Sequence, residues 1–300
     1  HPVRRGKPKK YGGRRRKCTW CGKTWRIAKT KTKILRISAE DWILDRSTLR
    51  RIEEKKDISH VMVWYRAQEY ADHIPHPLER LRIELREASR ILILDATHVR
   101  IKGKPHYIHI AYDTHLGVIH FAVDDSENAT AYSVILNMLA AEGYKPLAVV
   151  SDGHWGIRNV VQDWNLPHQR CVFHLLRELR TMLCVQGELH GASKVLYSRL
   201  KGIWKSRTIE DLSVRVNQFR KILFCFQKKR QIGELKSFWE GLPEATLHLS
   251  FDPGEVPSTS NILENLNGQI KARIKTMRGV KSKSSLIKIL KILFHFRNYK

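Results

Sequence analysis

Two carboxylates stand where apolar runs give way to polar residues. In "ILILDATHV" (Ile91–Val99) four aliphatic residues lead into Asp95, and in "PLAVVSDGHWGIRNVV" (Pro146–Val161) a second run leads into Ser151-Asp152-Gly153. A third acid, Glu264, lies in "STSNILENLNGQIKARIKTMRG" (Ser258–Gly279), 112 residues beyond Asp152. Acids gathered from distant parts of a chain onto one rigid edge suit magnesium, which takes oxygen ligands and keeps positions open for water and phosphate. Two such ions, ~3.5–4 Å apart, neutralise the attacking and leaving oxygens of a phosphodiester together. The chemistry expected of Asp95, Asp152 and Glu264 is therefore phosphoryl transfer with two Mg²⁺ or Mn²⁺ ions. Each acid also has a plainer reading. Asp95 and Asp152 sit where turns begin, and Glu264 follows Asn261 at the spacing of a helix capping box. Asp113, Asp124 and Asp125 are rival ligands.

The charge of the chain gives those acids a context. Lys and Arg outnumber Asp and Glu by 55 to 29, a formal net charge of +26, and a field of that sign draws in polyanions such as nucleic acid. The basic residues are concentrated at the ends. His1 to Arg36 holds fifteen Lys/Arg and no acid, and Asn265 to Lys300 holds ten and no acid. Between Ile91 and Asp152 the balance reverses, with seven acids against four Lys/Arg. An acidic island would repel phosphate in a passive DNA coat, and metal ions remove that conflict.

The elements that must position the acids follow from patterning. Residues 1–30 are rich in Arg, Lys and Gly and contain Cys18-Thr-Trp-Cys21-Gly22, a knuckle that aims two thiolates at one zinc. Structural zinc needs four ligands and no second pair follows, so this is read as half of a zinc ribbon whose partner pair preceded His1, or as a plain loop. Residues 31–72 are expected to form a helix-turn-helix. Ser47 caps a first helix through Leu49 and Ile52, a break falls at Lys56-Asp57, and a second helix starts near Ser59. Ser59, His60, Met62 and Arg66 would then face a DNA groove; an ordinary helical hairpin is the alternative. "HIPHP" (His73–Pro77) breaks the helix, and residues 73–90 read as a linker.

From Ile91 the reading is α/β. Three meander strands, with a turn at Thr114–Gly117, precede a helix capped by Asn128. A fourth strand in Leu147–Val150, a helix, a short strand and another helix complete the order of an RNase H-like mixed sheet. In that fold the first and fourth strands are neighbours, so Asp95 and Asp152 would converge. Residues 175–255 are read as a large helical insertion within a catalytic domain spanning 91–300. After it, Asn261 opens a basic helix carrying Glu264, with Lys271, Arg273, Lys275 and Arg278 available to grip a DNA backbone.

Taken together, "LDATHV", "SDGHWGIRNVV", "HQRCVFHLLREL" and "TSNILENLNGQIKARIKTMRG" resemble the catalytic blocks of DDE transposases of the bacterial insertion-sequence and Mutator-like group. In that group one Asp ends the first strand, a second sits in a Ser-Asp-Gly string, a Cys-x-x-His follows, and a Glu lies beyond a helical insertion. The resemblance places those roles on Asp95, Asp152, Cys171 with His174, and Glu264. It implies binding of an element's inverted repeats through the N-terminal modules. Metal-dependent strand cleavage and transfer of the freed 3′-hydroxyl into target DNA would follow, by a homo-oligomer holding two ends. It assigns Cys171 and His174 no role, and by residue type alone they read as a buried thiol beside a hydrogen-bonded His. His154 beside Asp152 is a candidate phosphate contact.

Two other functions fit part of this pattern: an RNase H-like nuclease or resolvase without strand transfer, and a helix-turn-helix transcriptional regulator. The regulator gives no reason for the three acids. No run of 18 apolar residues and no signal peptide is visible, so no membrane partner is expected. Five cysteines, an odd number, do not form a disulfide framework. A reducing, cytoplasmic setting on the nucleoid is the expectation.

Overall fold

The computed structural model describes residues 2–4, 15–18, 24–26, 36, 39–44, 47–184, 188–189, 191–222, 229–277 and 280–298; for 2–4, 15–18, 24–26, 222 and 229–237 only the backbone is described. Contacts divide the chain into two compact units, one of residues 1–76, 100–103 and 270–300, the other of 77–99 and 104–269.

The first unit opens with three short antiparallel strands, β1 (Pro2–Arg4), β2 (Arg15–Cys18) and β3 (Thr24–Arg26). Cys18 is the last residue of β2, whereas Cys21 lies outside the described residues, and with it the zinc expectation. Two helices follow, Leu49–Lys56 and His60–His73. The first is capped by Thr48, whose hydroxyl accepts from Arg51 N at 3.2 Å; the cap falls on Thr48 and not on Ser47. The connection turns at Asp57, which adopts φ 49°. Such left-handed backbone is commonest for Gly and tolerable for Asp. Ile52 and Val63 are buried, and so are Ala67, Tyr70 and Ala71 one and two turns beyond Val63. The helix Lys283–Asn298 packs on His60–His73, with Tyr70 stacked on Phe296 at 5.9 Å and Lys288 Nζ 2.7 Å from Asp72.

The second unit is built on a five-stranded mixed sheet. Its strands are β4 (Ile91–Ile101), β5 (Lys104–Asp113), β6 (Gly117–Asp124), β7 (Ala148–Ser151) and β8 (His168–Arg170), in the order β6-β5-β4-β7-β8. β5 and β6 pair antiparallel, while β7 is parallel to both β4 and β8. The first and fourth strands of the sheet are thus adjacent, as expected. Continuous apolar runs in β4 and β7 reflect burial on both faces. One face meets the helices Ala129–Ala141 and Trp155–Asp163 through Leu92, Leu94, Val149, Ile135, Leu136 and Ile157. Burial of each such side chain contributes roughly 1.5–3 kcal/mol. Asn128 caps the first of these helices, accepting from Ala131 N at 3.0 Å.

Two expectations are corrected here. The stretch 73–90 is not a linker: Pro77–Glu84 is helical and Leu81 is buried in the core of the sheet. Pro77 opens that helix, where its missing N–H would have had no intrahelical partner and its fixed φ already suits the helix. β4 also does not end at Asp95 but continues to Ile101, with Thr97, Val99 and Ile101 buried in alternation. Beyond β8, helices Val172–Leu183, Gly191–Trp204, Ile209–Ile222 and Lys229–Thr246 bury a separate core that includes Leu179, Leu200, Trp204 and Phe238. Among the described residues, no helix is long and apolar enough to cross a membrane.

Candidate active site

The site is built where β4 and β7 part. Leu94 and Ser151 are the last partners of that parallel pair, and one step further along the two strands stand Asp95 and Asp152. Side chains alternate between the faces of a strand. Both acids therefore share the face of Ile93 and Val150, opposite Leu92, Leu94 and Val149 in the core. β7 stops at Ser151, and its Oγ accepts from Gly153 N at 3.1 Å and lies 2.8 Å from His168 Nε2. Gly153 has φ 89°, and a methyl group there would land on the Arg170 guanidinium. The Ser-Asp-Gly string thus uses its glycine for both backbone hand and close approach. Asp152 Oδ1 accepts from His154 N at 2.8 Å, which fixes its carboxylate at the start of the following helix.

Asp95 has two partners. Its Oδ1 accepts from Ala96 N and its Oδ2 from Asn267 Nδ2, each at 2.8 Å. Burial pushes the Asp95 carboxyl up to about 7, and the neighbouring charge of Asp152 adds to the shift. A carboxyl that resists ionisation beside a second acid marks a place where a cation would relieve the repulsion.

Asn267 belongs to the helix Asn261–Thr276, and Glu264 lies one turn before it. Asn261 is the first residue of this helix, and the Glu264 amide bonds to Ser260 O at 3.1 Å. The Glu264 carboxylate turns to the protein interior: Oε1 is buried, without a hydrogen-bond partner, and 3.5 Å from His174 Nδ1. Cys171 is the N-cap of the helix Val172–Leu183 and is fully buried, with Ser260 N donating to its Sγ at 3.4 Å. Burial alone would raise the Cys171 thiol; hydrogen bonds with His174 and Ser260 outweigh it and hold the thiol below its ordinary value. The hydrogen bond with Cys171 is likewise the main cause that raises His174, to about 9 against the opposing effect of burial, with Glu264 and Asp152 adding to it.

Among the described residues, one trio of metal-ligating side chains has its ligand atoms all within 4.8 Å of one another: Cys171, His174 and Glu264. Asp95 and Asp152 are register neighbours outside that trio. Asp95 is joined to the helix of Glu264 through Asn267, and the charges of Glu264 and Asp152 both raise His174. Asp113, a rival ligand, is instead a buried staple whose oxygens accept from Ser89, Arg90, His115, Leu116 and Tyr144. Asp125 lies 2.7 Å from His106 and Asp124 3.8 Å from His109. His154 Nδ1 stands 3.5 Å from Glu127.

Two residues escaped sequence reasoning. Glu127 accepts from Tyr132 at 2.6 Å and adds to the upward shift of Asp95, and Asn267 holds Asp95 directly. The spacing of three between Glu264 and Asn267, which sets both on one helix face, was the available signal for the second.

The model of the family "Transposase, Mutator family" matches residues 80–300. The chain belongs to that family. Asp95, Asp152, Cys171, His174 and Glu264 all lie within the matched segment. A transposase for insertion sequence element IS905 of Lactococcus lactis subsp. lactis (strain IL1403) is 23% identical over 228 residues, 70% of this chain and 54% of the relative. The chain thus spans about half the length of that curated relative. Solved structures similar to parts of this Mutator-family chain include the HTLV-2 integrase catalytic core domain in complex with magnesium in its trimeric form. That match has 16% identity and a TM-score of 0.24 over 57% of this chain and 94% of the other. A simian T-cell lymphotropic virus intasome in complex with PP2A regulatory subunit B56 gamma is 13% identical, with a TM-score of 0.25 over 59% and 66%.

The residues expected to meet DNA divide by exposure. Ser59 and Met62 are exposed, His60 is half-buried 2.8 Å from Glu53, and Arg66 is half-buried with Nη1 fully covered. Lys271 and Lys275 are exposed, and Arg278 lies outside the described residues. Arg273 departs from the expectation. It is 2% exposed, bonds to Thr276 Oγ1 at 2.9 Å and stacks over Trp42 at 5.6 Å. It is a packing residue of its unit and does not present its guanidinium to a DNA backbone.

Proposed function

We propose that this Mutator-family chain carries the catalytic centre of a DNA transposase with an RNase H-like core. In this reading Asp95, Asp152 and Glu264 hold two Mg²⁺ or Mn²⁺ ions. The observation that carries it is the register adjacency of Asp95 and Asp152 beyond the last pair of two parallel strands. The donors fit hard cations. All are carboxylate oxygens, Asp95 already resists ionisation, and a Glu264 oxygen is buried without a hydrogen-bond partner. Bound ions supply neutralisation of the attacking and leaving oxygens during in-line displacement at phosphorus.

The chain's own residues do the rest. β4 and β7 fix the two aspartates on one face, and Asn267 ties Asp95 to the helix that presents Glu264. Lys271 and Lys275, exposed further along that helix, grip the phosphates flanking the cut. The helices Leu49–Lys56 and His60–His73 act as a helix-turn-helix that reads an element's inverted repeats, with Ser59 and Met62 toward the groove. Two ends are held by a homo-oligomer on the nucleoid, and strand cleavage is followed by attack of the 3′-hydroxyl on target DNA. No covalent bond between protein and DNA forms.

A nuclease or resolvase would use the same acids, so the separating experiment is joining. Given pre-cut ends of the DNA flanking the gene and Mg²⁺, a transposase yields strand-transfer products. Cutting of uncut ends with no joining of pre-cut ones would leave the nuclease reading in its place.

A further inference from the structure

Three side chains of different chemistry converge beside the aspartates: the thiol of Cys171, the imidazole of His174 and the carboxylate of Glu264, every ligand atom within 4.8 Å of the others. In a tetrahedral site with ligands ~2.0–2.3 Å from the ion, neighbouring ligand atoms are roughly 3.3–3.8 Å apart. The 3.5 Å between His174 Nδ1 and Glu264 Oε1 falls in that range. It is long for a hydrogen bond, and Glu264 Oε1 is buried without a hydrogen-bond partner. Magnesium does not choose a thiol. Sulfur, nitrogen and oxygen donors together are the set taken by zinc and its borderline-soft neighbours.

The surroundings resemble those of a built site. Cys171 caps a helix N-terminus, where the dipole favours a thiolate. Ser260 N donates to its sulfur at 3.4 Å, the outer bond that orients a metal-bound thiolate. The two chain segments are pinned together at this point, since Val172 N bonds to Ser258 O at 2.9 Å.

We propose that Cys171, His174 and Glu264 form a second cation site, selective for a thiophilic divalent ion such as Zn²⁺, with its fourth position open to water. The site stands on its own three ligands. Its consequence rests on the functional reading above, because Glu264 is shared: an ion held by Cys171 and His174 keeps the Glu264 carboxylate from the aspartates. The thiophilic ion is then an inhibitor that competes with magnesium for one ligand.

Cobalt(II) is the probe, because a cobalt–thiolate bond gives a near-ultraviolet charge-transfer band and tetrahedral cobalt gives intense visible bands. The measurement uses the whole chain carrying Cys18→Ser and Cys21→Ser, so that the N-terminal pair contributes nothing. Expected is one cobalt per chain with a thiolate band, displaced by Zn²⁺ and unaffected by millimolar Mg²⁺. Loss of a direct ligand should exceed the ~10–100-fold typical of outer-shell changes. Cys171→Ser should therefore remove the band, and His174→Asn and Glu264→Gln should each weaken binding by more than about 100-fold. Circular dichroism checks that each variant is folded. If Cys171→Ser is not, the half-exposed Glu264 supplies the test through Glu264→Gln.

Absence of a thiolate band, or a band that survives Cys171→Ser in folded protein, overturns the site. Asp152→Asn should leave the band intact. A failure of the catalytic reading would thus appear as cutting by Asp152→Asn with the cobalt spectrum unchanged. The inhibitory claim falls separately if Zn²⁺ saturates the site without slowing Mg²⁺-dependent cutting.

Discussion

Asn267→Ala removes a single hydrogen bond whose loss should be read out at the metal. Asn267 is 7% exposed and its Nδ2 donates to Asp95 Oδ2 at 2.8 Å. A hydrogen bond to a charged group contributes about 1.5–3 kcal/mol. Removing an outer-shell partner of a metal ligand typically weakens metal binding ~10–100-fold, which is about 1.4–2.7 kcal/mol at 1.36 kcal/mol per decade. The two figures agree, so most of the bond's worth should appear as lost cation affinity. Two effects act in that direction: Asp95 loses the donor that orients it, and the helix of Glu264 loses its tie to β4. The assay is the rate of DNA nicking as a function of Mg²⁺ concentration, with Mn²⁺ binding followed directly by electron paramagnetic resonance. Expected is a rise of about 10–100-fold in the half-saturating metal concentration, with the rate largely restored at saturation. Asn267→Asp supplies an oxygen but no donor and should not restore the wild-type metal constant. An unchanged metal constant in folded Asn267→Ala protein would refute the positioning role.

Other substitutions test the scaffold around the acids. Asp113→Ala strips the acceptor from Ser89, Arg90, His115, Leu116 and Tyr144, and thermal unfolding should show a loss of about 3 kcal/mol or more. A loss under about 1 kcal/mol would mean that water replaces the carboxylate. Gly153→Ala meets both a positive φ and the Arg170 side chain, so nicking should fall at least about tenfold while overall stability changes by only ~1–3 kcal/mol. Burial and the nearby charges of Arg170 and Arg158 lower His168 from 6.5 to about 4. The unfolded chain therefore takes up this proton first, and the contribution of His168, complete above pH 6.5, is lost as pH falls from 6.5 to 4. Its full size is about 3 kcal/mol at 1.36 kcal/mol per pH unit. The wild type should thus lose more stability than His168→Gln between pH 7 and pH 4, and equal losses would contradict the assignment.

The sheet was legible because its strands are buried on both faces and announce themselves as aliphatic runs. The register that brings Asp95 beside Asp152 followed from strand order alone. The errors share a physical origin. Pro77 reads as a breaker, yet at the first position of a helix its ring is already in the helical φ, and Leu81 then has a core to enter. Beyond Asp95 the strand changes from a continuous to an alternating pattern, Thr97, Val99 and Ile101 inward, so its second half is less conspicuous. Arg273 lies in a helix whose other basic residues are exposed, and only the tertiary position of Trp42 marks it as internal. Cys171 and His174 stand three residues apart, but Glu264 lies 93 residues beyond Cys171, and no local spacing shows that its carboxylate meets them.

The central claim is that Asp95 and Asp152 share bound divalent ions with Glu264, and its most direct test is cation-dependent nicking of the DNA flanking the gene. Wild-type protein should cut with Mg²⁺ or Mn²⁺ and not in chelator. Asp152→Asn should bind the same DNA undiminished and cut at least about 100-fold more slowly, since it removes a direct ligand. Cutting by folded Asp152→Asn at the wild-type rate, or cutting by wild type that ignores chelator, would contradict the account.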